Sequence, residues 1–153
     1  MRIEWKFINN SVYRHFRNIF LGFFFLTTVV GYTYNVFCTE SINQQYVRLT
    51  QELYTMQIFR NRIMSIENGR GNLLIAKEIW VKVNMGDRDT HAQLEQIRMY
   101  FIHNGWNVVR NTNKEITFDN RQYVLSVRAP EGKENVQWIV ELGFNTFFQR
   151  FRL

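Results

Sequence analysis

Hydrophobic and polar positions follow three different rhythms along this chain. Residues 19–38, IFLGFFFLTTVVGYTYNVFC, are twenty positions without a single charge. At about 1.5 Å of rise per residue such a helix is roughly 30 Å long, the thickness of a bilayer's hydrocarbon core. The stretch predicts a membrane span. Phe20, Phe23, Phe24, Phe25, Tyr32 and Tyr34 are its anchoring side chains, the tyrosines marking one headgroup boundary. The alternatives are a buried core helix, which would carry a polar stripe, or a signal peptide. A signal peptide has an apolar region of only about 7 to 15 residues and small residues at its cut site. Here bulky Phe37 precedes Cys38.

The second rhythm runs over 42–66. Ile42, Tyr46, Leu49, Leu53, Met56, Phe59, Ile63 and Ile66 recur every three or four residues, with one three-residue slip at Met56. This predicts an amphipathic helix over 39–68 with a heptad seam. So narrow a stripe on a helix leaving a membrane suits a partner helix, which makes these eight residues the candidate partner-binding set. The alternative is that the helix folds back onto its own domain. Asn68-Gly69-Arg70-Gly71-Asn72 ends it, with 69–72 as a linker.

The third rhythm is alternation. Residues 73–83 read as a strand, with Trp80 and Lys82 on one face and Ile79, Val81 and Val83 on the other. A helix follows from an N-cap at Asp87, Asp89 or Thr90, with Thr90 and Gln93 spaced as a capping box, to a stop at Asn104-Gly105. Four strands complete the chain, over 106–110, 115–119, 122–128 and 136–144. The expected fold class is α+β: a single N-terminal transmembrane helix, a heptad helix, and a small, mostly antiparallel sheet of order β-α-β-β-β-β with one packed helix, over 73–153. The tail Phe147-Phe148-Gln149-Arg150-Phe151-Arg152-Leu153 is expected to complete the last strand or cap the sheet, the alternative being a partner-binding or membrane-touching edge.

Charge sets the orientation. Residues 1–18 form a stub with four basic residues against one acid, and the first charge after the span is Glu40. The positive-inside bias therefore places the N-terminus in the cytoplasm and the domain outside, in a periplasm or equivalent space of an inner membrane. The remaining charge, fifteen bases against twelve acids over 39–153, is too balanced for a nucleic-acid partner. A lone cysteine, Cys38, excludes an intrachain disulfide and leaves an intermolecular one open.

Chemistry finds little purchase. Asp87, Asp89, His91 and Glu95 cluster near one helix start, read either as a carboxylate–imidazole metal site or as a cap with acids favoured by the helix dipole. The cap is the preferred reading. No Ser-His-Asp or Cys-His set and no phosphate loop are present, so no catalytic residue, cofactor or small-molecule substrate is expected.

The order of elements, a basic stub, one span, a heptad helix over 42–66 and a small α+β domain, resembles the bitopic assembly-platform proteins of type IV pilus and type II secretion systems, of the PilN, PilO and GspM type. The resemblance covers the whole chain as a layout. It implies a ferredoxin-like outer domain and a non-enzymatic subunit that pairs with itself or with another membrane-anchored protein. A membrane-tethered immunity or phage superinfection-exclusion protein is the alternative, and an extracytoplasmic enzyme the third.

Overall fold

The computed structural model describes residues 10–70, 77–86, 89–131 and 137–146, with side chains from Tyr13 onward apart from Asn35 and Arg70. The start of the stub, the first four positions of the strand expected over 73–83, Asp87 and the tail over 147–153 lie outside the described residues.

Helix α1 spans Asn10–Phe37 and α2 spans Thr39–Thr55, separated by a turn at Cys38. The short helix α3, Gln57–Arg60, follows an extended Met56. Then come β1, Ile63–Arg70; β2, Lys77–Asn84; α4, Thr90–His103; β3, Asn107–Asn111; β4, Glu115–Asp119; β5, Tyr123–Arg128; and β6, Gln137–Phe144. The six strands form one sheet in the order β1-β2-β6-β5-β4-β3, and every neighbouring pair is antiparallel. Helix α4 carries the chain from β2, inside the sheet, to its far edge at β3, and the β3 to β6 meander returns to pair with β2.

Two helices, not one, cover one face of the sheet. Helix α2 lies on β2 and β6, and α4 on β3 and β4. Between them and the sheet runs a single core that includes Leu49, Leu53, Phe59, Ile79, Val81, Phe101, Phe118, Leu125, Val140 and Leu142. Phe101 is its hub, with ring centroids 5.9 Å from Phe59, 5.4 Å from Trp106 and 4.8 Å from Phe118. Tilted and edge-on pairs of this kind suit the quadrupoles of the rings.

The sequence expectations hold where a local signal fixes the geometry. Asp89 caps α4, its carboxylate accepting from the His91 amide at 3.2 Å. Gly105 follows α4 at φ +80°, the left-handed region open to glycine. Gln93 does not complete a capping box. Its amide instead donates to the carbonyls of Met85 and Gly86, at 3.0 and 3.3 Å, and ties the preceding loop to the helix.

The expected helix over 39–68 is corrected. It stops at Thr55, next to the slip at Met56, and the chain re-emerges as β1. A β-bulge explains the misleading periodicity: Ile63 pairs with Val83 and Ser65 with Lys82, so Met64 is the extra residue. That residue lets Ile63 and Ile66, three apart, both sit opposite inward-facing valines, which imitates a helical repeat. Gly69 and Arg70 likewise belong to β1, not to a linker. Among the described residues the sheet therefore has six strands where five were expected, and the order β-β-α-β-β-β-β differs from the β-α-β-β-α-β of a ferredoxin-like domain.

Candidate functional site

Within α1, Tyr13–Tyr34 is long and apolar enough to cross a membrane, 22 residues or roughly 33 Å. Phe20, Phe23, Phe24, Phe25 and Tyr32 all project from it into open space, Phe25 being 70 % exposed. Exposed aromatics in such density are unfavourable in water and favourable in lipid. The threonines conform to the same logic. Thr27 Oγ1 donates to the Phe23 and Phe24 carbonyls at 3.0 and 2.9 Å, and Thr28 Oγ1 to the Phe24 carbonyl at 2.8 Å. Their hydroxyls need no water.

Tyr34, expected to anchor in the headgroups, is instead attached to the domain. Its hydroxyl accepts from Gln45 Nε2 at 3.2 Å, and its ring packs against the core. Lys77, the first residue of β2 and only 3 % exposed, brings Nζ to 5.8 Å from the centre of that ring. At this distance the ammonium is attracted by the negative face of the ring. The backbone is nearly continuous across the turn as well, Cys38 N donating to the Tyr34 carbonyl and Ile42 N to the Cys38 carbonyl. Nothing in the sequence signalled the lysine.

The candidate partner-binding seam is corrected in the same way. Ile42, Tyr46, Leu49, Leu53, Met56 and Phe59 are all buried in the chain's own core, while Ile63 and Ile66, on β1, are partly buried against it. Tyr46 reaches across to β1 and donates to the Gly69 carbonyl at 2.9 Å. Of the two uses foreseen for this stripe, folding back is the one observed. The solvent side of α2 carries Gln44, Val47, Gln51 and Tyr54, roughly 150° around the helix from the buried seam at about 100° per residue.

Around the start of α4, Asp89 is engaged as the cap and Glu95 forks onto Arg98 at 2.6 and 2.8 Å. That guanidinium holds the Glu95 carboxyl below its usual range. Among the described residues no three His, Cys, Asp or Glu side chains converge as a metal site would require. A shallow groove between α3 and α4 is lined by Gln57, Ile58, Asn61, Arg62, Gln96 and Tyr100. It offers amides, a guanidinium and a phenol, but no carboxylate, imidazole or thiol.

The other face of the sheet carries no helix among the described residues. Its middle is a chain of charges: Arg110 lies 3.7 Å from Glu115, Arg128 lies 3.8 Å from Glu115 and 3.2 Å from Glu141, and Ser126 donates to Glu115 at 2.8 Å. Toward β1, Lys82 and Glu67 pair at 3.1 Å. Between these two groups stands Trp80, directly opposite Glu67 on one side and Glu141 on the other, and 44 % exposed. Sequence alternation placed Trp80 and Lys82 together on this face.

Comparison with family models, with curated proteins and with solved structures gives no match. The molecule's own geometry is what bears on its function.

Proposed function

We propose that this is a single-pass membrane protein with its N-terminus in the cytoplasm and its α+β domain outside, acting as a structural, interaction-type subunit of an envelope assembly of the secretion or pilus kind. The observation that carries the reading is the joint between α1 and α2. An apolar helix with its phenylalanines exposed passes into the domain with one intervening residue, and Tyr34, Gln45 and Lys77 clasp the two together. A subunit that must present one surface to a neighbour in the same membrane is well served by such a fixed orientation. The four-to-one basic bias of residues 1–18 supports the proposed direction of insertion.

Because the inner seam of α2 is occupied, partners meet the chain on exposed surfaces, foremost the outer side of α2 at Gln44, Val47 and Gln51. Single cysteines at Gln44 and Gln51, in a Cys38→Ser background and in intact membranes, test this. The expected result is a discrete crosslinked species containing a second membrane-anchored chain. A monomer at every solvent-facing position of α2, under conditions that crosslink a known membrane dimer, would refute it.

A further inference from the structure

The groove between α3 and α4 is walled by two pairs of polar side chains. Gln57 and Asn61 stand at the two ends of α3, and Gln96 and Tyr100 lie one turn apart on α4. The walls are tied at one point, where the first backbone N–H of α3, that of Gln57, donates to the Tyr100 hydroxyl oxygen at 3.0 Å. Ile58 adds an apolar patch, and the groove encloses about 510 Å³, a volume in the range of small-ligand sites. Arg62 completes the lining. Its backbone is held on both sides, the N–H donating to the Phe59 carbonyl at 2.8 Å and the carbonyl accepting from Asn84 at 2.9 Å.

The Arg62 guanidinium is half-buried and poorly matched. Among the described residues its one side-chain partner is the thioether of Met85, with Nη1 3.5 Å from Sδ, and sulfur is a weak acceptor. None of the ion pairs among the described residues includes it. The side-chain amides of Gln57, Asn61 and Gln96 have no partner among the described residues either, and the Tyr100 hydroxyl, which accepts from Gln57, keeps its own hydrogen to donate. The groove therefore holds one positive charge and a surplus of donors, with no acid in its lining. A cation finds no ligand there. A dianionic phosphate calls for a second charge or a free helix N-terminus, and the leading amide of α3 is already taken by Tyr100. A carboxylate needs only one guanidinium, whose two parallel N–H groups match its two oxygens. Beside it, primary amides donate and accept together, as a peptide group does.

We propose that this groove binds a peptide by its carboxylate, with the carboxylate on Arg62, the adjoining peptide groups on the side-chain amides of Gln57, Asn61 and Gln96, and an apolar residue against Ile58. The carboxylate belongs to a chain's C-terminus or to an acidic side chain. The groove lies wholly within the α+β domain, so failure of this inference would leave the proposed anchoring and orientation untouched.

The test titrates the full-length protein in nanodiscs of zwitterionic lipid with four probes: N-acetyl-trialanine as free acid and as C-terminal amide, and N-acetyl-Ala-Asp-Ala-amide with its Asn counterpart. Binding is read by NMR at the Arg62 Nε–H and at the side-chain amides of Gln57, Asn61 and Gln96. The expected result is a saturable shift with the free acid, the Asp probe or both, which identifies the source of the carboxylate, and none with the two uncharged probes. Arg62→Gln should weaken binding by about tenfold or more, and Arg62→Lys, which keeps the charge but not the fork, by less. Gln96→Ala, an exposed substitution that leaves Arg62 in place, should weaken binding severalfold without changing thermal melting, which separates loss of the site from loss of the fold. Absence of a saturable shift with both carboxylate probes, equal shifts with the uncharged ones, or binding unaffected by Arg62→Gln would overturn the proposal. Tighter binding of inorganic phosphate, titrated in parallel, would overturn the choice of a carboxylate.

Discussion

Phe101 shows how much of this domain rests on single residues. It is fully buried and touches aromatic rings from α3, from the connection between α4 and β3, and from β4. Truncation to alanine should cost about 3 to 5 kcal/mol, read as a lower urea midpoint of the domain in full-length protein. Leu49→Ala should cost about 2 to 5 kcal/mol for the same reason; if Leu49 served only a partner, the isolated chain would be no less stable without it. Glu52 carries the opposite sign. Burial raises its carboxyl above the ordinary glutamate value. The folded state therefore binds this proton more tightly than the unfolded state, and stability falls as pH rises through the interval between the two values. Glu52→Gln should raise the melting temperature at neutral pH, and the gain should vanish on acidification below the ordinary glutamate range. A gain that persisted in acid would refute the desolvation account. At this scale the sequence is legible where one residue type fixes one geometry, as with Gly105, and it narrows the α4 cap to three candidates of which Asp89 is the one observed. It was silent about Lys77, whose buried ammonium lies over the ring of a tyrosine 43 positions earlier.

Elements were legible by type where they were regular and misread where a bulge intervened. Alternation located β4, β5 and β6 because their inward residues simply alternate, as in Trp138, Val140 and Leu142. Strand β1 was hidden for two physical reasons. Its bulge at Met64 converts a period of two into a spacing of three, and its Gly69, which reads as a breaker, is the space into which Trp80 packs. The apolar stripe announces α2 only as far as Thr55, and such a stripe marks the side that avoids water, not the surface that covers it. The joint before α2 yields its own prediction. Tyr34→Ala removes both the ring beneath Lys77 and the acceptor for Gln45. Amide exchange in the first two turns of α2 should then quicken while the β5–β6 pair stays protected. Equal exchange in mutant and parent would mean the clasp does not couple helix to domain.

For the molecule as a whole, the division between an exposed apolar helix and a sheet with one core organises everything else. Side chains buried on α2 and α4 close the core without α1, apart from the contribution of Tyr34, so the domain does not use the remaining aromatics of that helix. Composition and charge balance were sufficient to foresee this division, because twenty residues without a charge stand apart from the mixed charges of the rest. Sheet order was not foreseeable in the same way: the pairing of β2 with β6 joins residues about sixty positions apart and is decided by packing beneath α2. The most direct test of the account is a dual alkaline phosphatase and β-galactosidase reporter fused after Leu153 in the full chain. High phosphatase and low galactosidase activity, with the fusion retained in membranes after alkaline carbonate washing, is the predicted result. Galactosidase activity from a fusion that washes into the soluble fraction would contradict it.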